Sequence, residues 1–215
     1  FQNTGSGRGE FTIYYYEGAE GWADYDLYPT VAIGEDGVMY SGTIDDIITW
    51  YITADGKLYV NGSGSIPNDV GEYEYSWHNH KDFVKEIHIG EGIKVIGNNA
   101  FSGFGNAAVL TLPDSLEEIW AGAFHDTGIT HVTIPAATWQ IIDNVFGGSP
   151  VEEITVEEGN LWHAVDEYGA LYYMEDENYG YLLSYPAASE GTELTVQEGT
   201  PHIGNHAIYG TSLTS

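Results

Sequence analysis

Cysteine is absent from the 215 residues. That excludes disulfide scaffolds, thiolate zinc sites and cysteine nucleophiles together, and it leaves the redox compartment unread. Positive charge is nearly absent as well: Arg8, Lys57, Lys81, Lys85 and Lys94 stand against 33 Asp and Glu, for a formal net charge of -28. Binding to nucleic acid or to an anionic membrane surface depends on a basic footprint that releases counterions, so neither is expected as a partner. No run of 18 apolar residues exists, and no membrane insertion is expected of this stretch. The chain opens Phe1-Gln2-Asn3-Thr4, neither an initiator methionine nor a signal peptide, and reads as a piece of something longer.

What is present points to a folded strand-and-turn protein. At 42% hydrophobic residues the chain is too apolar for a disordered acidic tail. With 28 glycines, 17 tyrosines and few helix formers, the composition favours strands and turns.

From Val84 onward the sequence repeats. The pattern apolar-x-x-apolar-x-apolar recurs as Val84/Ile87/Ile89, Ala107/Leu110/Leu112, Ile129/Val132/Ile134, Val151/Ile154/Val156 and Gly191/Leu194/Val196, with starts 23, 22, 22 and 40 residues apart, and Leu213 begins a sixth unit. Two further columns keep the register. Ile96, Ile119, Ile141 and Ile203 lie seven residues after the last strand apolar; Phe101, Phe124, Phe146 and Ile208 lie twelve after it. Side chains alternate along a strand, so 87/89, 110/112, 132/134, 154/156 and 194/196 are expected to stack in one core, with the aromatic closing each coil. One such unit buries too little to stand alone, and neighbours stack to supply the rest.

The same alternation sends Glu86, His88, Val109, Thr111, His131, Thr133, Glu153, Thr155, Glu193 and Thr195 outward, onto the open face of a parallel sheet. These ten are the candidate binding residues. The fourth unit runs 18 residues over the period; 169–174 and 181–186 read as two strands around a polar turn, a hairpin inserted at about 165–186. That unit lacks the closing Phe, and the hairpin's aromatics are expected to plug its coil. Before the repeats, the stretch around Asp55-Gly56 alternates as a second hairpin.

Catalysis needs convergent groups, and none is legible. The pairs Asp45-Asp46, Glu117-Glu118, Glu152-Glu153 and Glu157-Glu158 are sequence neighbours, which a strand points to opposite faces. No Gly-x-Ser-x-Gly elbow occurs. For metals, His78/His80, His202/His206 and Asp176-Glu177-Asn178-Tyr179-Gly180 are partial patterns without full ligand spacing. No cofactor is expected; calcium is the one ion for which part of a loop is present.

At the repeat residues the chain resembles the BspA-like, or Treponema-type, leucine-rich repeat family of bacterial surface proteins. The run Val84-Lys85-Glu86-Ile87-His88-Ile89-Gly90 through Ala100-Phe101 carries the resemblance, Leu112-Pro113 through Ala123-Phe124 is a second close copy, and Ile134-Pro135 through Val145-Phe146 a looser one that departs at Trp139 and Ile142. The resemblance implies a leucine-rich-repeat solenoid, a right-handed superhelix rich in β-structure, with short parallel strands and short helical or 3-10 turns, preceded by a small β cap. On that reading 1–30 end a preceding array, 31–83 form the cap, with Trp50 and Trp77 at the family's tryptophan positions, and 84–215 are the repeats. It further implies a non-catalytic, monomeric, extracellular module that binds proteins or adheres to host matrix. A rigid spacer is one alternative. Carbohydrate binding through Tyr14, Tyr15, Tyr16, Trp22, Tyr25 and Tyr28 is another, set against the simpler reading of that cluster as packing.

Overall fold

The computed structural model describes residues 13–16, 30–34, 37–44, 46–67, 75–175, 178–188 and 193–214. Two short strands come first, β1 (Ile13–Tyr16) and β2 (Thr30–Ile33), paired in parallel. Trp22, Tyr25, Tyr28 and the calcium-like Asp176-Glu177 lie outside the described residues. Three antiparallel strands follow: β3 (Val38–Ile44), β4 (Ile48–Thr53) and β5 (Lys57–Asn61), with β6 (Gly64–Ile66) and a 3-10 turn at Ser76–His80 completing the cap.

Each of the first three repeats then contributes one strand to each of two parallel ladders. The first ladder carries β7 (Glu86–Ile89) and β9 (Val109–Thr111), and a second section carries β11 (His131–Ile134) and β13 (Glu153–Val156). The other ladder stacks β6, β8 (Ile93–Ile96), β10 (Glu118–Ile119) and β12 (Gln140–Ile141). Strand residues alternate as the repeat demands: Ile87, Ile89, Val132, Ile134 and Ile154 are buried, while their neighbours face out. The cap is not a separate body. Its strand β5 pairs directly with β7, Leu58 beside Ile87, so the antiparallel hairpin continues the parallel sheet and covers its first edge.

The third side of each coil is a turn rather than a strand, and the aromatic column closes it. Trp77, Phe101, Phe124 and Phe146 stack ring on ring, with successive centroids 5.5, 5.5 and 5.9 Å apart and planes within 15°. The Trp77 indole N–H is satisfied by the Ala100 carbonyl at 2.9 Å. Side-chain hydroxyls tie coil to coil: Ser115 donates to Ile93 O, Thr138 to Leu116 O and Ser149 to Phe124 O.

A further period lies in the backbone. Asn99, Gly122, Asn144 and His206, ten residues past the strand, all have φ between 55° and 67°; Gly103, Asp126, Gly148 and Gly210, fourteen past it, lie between 53° and 80°. Two left-handed residues per coil turn the chain back on itself. Asn, Asp and Gly fill seven of the eight places because they tolerate that region at little cost.

The inserted hairpin is present with shifted bounds. Its strands are β15 (Leu171–Glu175) and β16 (Asn178–Ser184), and a strand the sequence did not signal, β14 (His163–Val165), pairs antiparallel to β15. It does more than plug a coil. Leu171 and Leu183 join the main core, whereas Tyr172, Leu182 and Tyr185 build a second core with Ala170 and Ala207. The hairpin is a partition buried on both faces. Leu182 pairs with Ile203 of β17 (His202–Ile203), and the Gly204 N–H bonds to Leu182 O as that of Ile142 bonds to Ile119 O. Leu182 therefore fills the second-column place that the fourth unit lacks in sequence, delayed by the insertion.

The last coil departs from expectation. Ile203 and Ile208, expected inside, are 54% and 44% exposed. The unit expected from near residue 191 forms no strand over its described residues 193–197, because β16 rather than β13 is its neighbour. Leu194, Val196 and Leu213 instead pack against the second core.

Candidate binding face

The outward positions of β4, β5, β7, β9, β11 and β13 share one surface. Glu86 and His88 are half-buried there; Val109, Thr111, His131, Thr133, Glu153 and Thr155 are exposed. Register sets them side by side: Glu86 against Val109, His88 against Thr111, His131 against Glu153, Thr133 against Thr155. Eight of the ten expected residues are thus brought together. Glu193 and Thr195 are exposed but lie in irregular backbone outside that sheet.

Hydrogen bonds order the strip. His88 places Nε2 2.8 Å from Glu86 and Nδ1 3.1 Å from the Thr111 hydroxyl. The Thr133 and Thr155 hydroxyls are 2.9 Å apart. His131 lies 3.9 Å from Glu153. At the cap end Lys57 sits 3.6 Å from both Glu86 and Asp55, and these carboxylates, Glu86 first, hold its ammonium above the usual lysine range.

Tyr51, Lys57 and Tyr59 also belong to this face and were not singled out from sequence. Tyr51, Tyr59 and His88 form a stacked aromatic file, each step 4.9 Å, and Lys57 flanks it. The signal was available: alternation in the hairpin around Asp55-Gly56 puts Tyr51, Lys57 and Tyr59 opposite the buried Ile52 and Leu58. What the residues alone do not show is that β5 continues into β7, which turns a cap into part of the face.

The sheet is split between β9 and β11. The two strands belong to separate ladders, and the gap opens a groove of about 570 Å³. Val109, Thr111, His131, Thr133, Glu153 and Thr155 line it, with Glu157 at one end. Strand edges normally pair, and an edge without a neighbouring strand is a place where a guest's backbone can add. The groove offers one exposed valine, four threonine hydroxyls, an imidazole and two carboxylates, which suit recognition of a polar or basic group.

The histidine pairs go to separate tasks. His80 stacks on Tyr40 at 3.7 Å while His78 approaches the Ala100 carbonyl at 3.0 Å; His202 stacks on Tyr181 and His206 meets Tyr209 edge-on. Among the described residues no group of three His, Asp or Glu gathers as metal ligands.

With these ladders and stacked coils described, a family comparison decides the assignment. Residues 69–164 match the BspA type leucine rich repeat region in six copies. The coils within these residues are repeats of this type. A leucine-rich repeat protein from Eubacterium ventriosum ATCC 27560 is similar at 22% identity over 82% of this chain and 59% of that one, with a TM-score of 0.51. A leucine rich cell surface protein from Faecalibacterium prausnitzii A2-165 is similar at 18% identity over 75% of this chain and 65% of that one, TM-score 0.49. The pneumococcal vaccine antigen PcpA is similar at 16% identity over 79% and 62%, TM-score 0.49. At such identity the first of these shows a shared fold. The chain spans about three-fifths of the length of that structure. No curated protein matches it. Among the described residues no helix is long and apolar enough to cross a membrane.

Proposed function

We propose that this chain is a non-catalytic module of a bacterial cell-surface protein and that it captures a protein partner on the open face of its parallel sheet. The observation that carries the reading is the coincidence of the repeat's outward column with the β9–β11 groove: Val109, Thr111, His131, Thr133, Glu153 and Thr155 are at once the expected face and the lining of the main opening in it. The match of residues 69–164 to the BspA type repeat supports a role in protein interaction and a place at the cell surface. The carboxylates of Glu153 and Glu157 favour a neutral or basic partner over an acidic one. The partner class is host extracellular matrix protein, bound by a monomer without a cofactor.

The test is capture of matrix proteins by the immobilised chain, compared with a variant carrying Thr111→Glu, His131→Glu and Thr133→Glu. These positions are exposed, so the fold is expected to survive. Loss of capture supports the reading. Capture unchanged by three added charges removes the open face from consideration, and the absence of any captured matrix protein favours a spacer.

A further inference from the structure

The second ladder ends at β12, and the hairpin strand β16 passes beside it without pairing. Between them lies a second groove of about 390 Å³, within the roughly 300–1,000 Å³ of small-molecule sites. Ile141 and Leu183, both buried, give it an apolar base; Trp139 and Tyr181, 40% and 42% exposed, give it aromatic surfaces; Gln140 and Asp143 add polar groups.

Two features set this groove apart from ordinary surface. The first is the identity of residue 139. The equivalent places in the two preceding coils hold Lys94 and Glu117, which form an ion pair at 2.7 Å. The third coil continues that charged column with an exposed tryptophan. The second is that the groove's groups are held in place. Both the backbone N–H and the side-chain amide of Asn205 donate to the Asp143 carboxylate at 3.2 Å, and Tyr181 stacks on His202 at 5.2 Å. Groups fixed beforehand lose little freedom when a ligand arrives.

We propose that this groove binds a neutral pyranose sugar. A pyranose offers a face of C–H groups and an edge of hydroxyls. Trp139 and Tyr181 match the face, being aromatic surfaces with polar tips. The Gln140 amide can donate and accept, and the Asp143 carboxylate accepts, so together they match neighbouring hydroxyls. Among the described residues no Lys or Arg lines the groove, and the net charge of -28 opposes an acidic sugar. The space takes one or two rings rather than a helix or strand. This site is distinct from the open face.

A glycan array spanning neutral, sialylated and sulfated structures tests it, with affinities for retained glycans measured by tryptophan fluorescence. Retention of neutral glycans is expected, weakened at least ~10-fold in Trp139→Ala and in Gln140→Ala, and undiminished in the Thr111/His131/Thr133 triple variant and in Trp22→Ala. Gln140 is half-buried on the groove wall and its truncation spares the core, so it decides the matter should Trp139→Ala fail to fold. The proposal is overturned if no neutral glycan is retained, if only acidic ones are, if both groove variants bind as the parent does, or if Trp139→Ala abolishes capture of a protein instead.

Discussion

His163 shows how far a single position can depart from its sequence neighbourhood. In Leu161-Trp162-His163 the two apolar residues are exposed, 78% and 43%, and the histidine is buried. Asn160 causes the inversion. Its Oδ1 accepts from the N–H groups of Trp162 and His163 while its amide donates to Pro135 O and Thr138 O, a fully used side chain that fixes which way the turn faces. No hydropathy pattern encodes that, and β14 went unforeseen for this reason. Desolvation lowers the His163 pKa to about 4, only partly offset by the Thr138 backbone, and its ring nitrogens make no hydrogen bond of good geometry. The consequence for stability has a definite sign. Between its ordinary pKa near 6.5 and about 4 the unfolded chain binds a proton that the folded chain does not, so stability falls as pH drops through that window and levels off below it. At ~1.4 kcal/mol per pKa unit the loss amounts to ~3 kcal/mol. Urea unfolding at several pH values should show it, with a shallower slope in His163→Leu; equal slopes would remove the histidine from the account.

At the scale of elements, the aromatic column is the clearest case of structure written in sequence. Phe101, Phe124 and Phe146 share one register position, and the stack they form is continuous with Trp77 of the cap. Phe124 sits between two rings with no exposure. Phe124→Ala leaves a cavity that the neighbouring coils, held by their own ladders, cannot close, and a loss of ~3–5 kcal/mol in denaturant unfolding is expected. A loss below ~1 kcal/mol would show that the column adapts freely. The hairpin was legible as two strands but not as a partition. Its alternation reads the same whether one face or both are covered, and only the arrival of Ala207, Leu194 and Val196 on its far side distinguishes them. The left-handed columns were in the sequence all along, as Asn99, Gly122 and Asn144 at one offset; the histidine at 206 hides the fourth member.

For the whole molecule, charge dominates. A chain at -28 in so compact an array repels itself, and 33 carboxylates have five Lys and Arg to meet them. Salt screens that repulsion over a Debye length of ~10 Å at 0.1 M. The melting temperature is therefore expected to rise by a few degrees between ~0.02 M and ~0.5 M sodium chloride, whereas a protein held by ion pairs would lose stability. Calorimetry at both salts decides between the two. The repeat period, the inward columns of the first four units and eight of the ten outward residues were readable because each of those coils repeats the same physical problem. Both grooves were not, because each lies where a ladder stops, and a stop leaves no mark on the period.

The break between β9 and β11 also has a mechanical meaning. The second and third coils remain fastened on their other two sides, by the β10–β12 ladder and by the Phe124–Phe146 stack. A beam cut on one face bends at the cut. The open face is therefore built as two separately paired sections, β7–β9 and β11–β13, and a partner seated in the groove would splice them, supplying on that side the tie that the backbone omits.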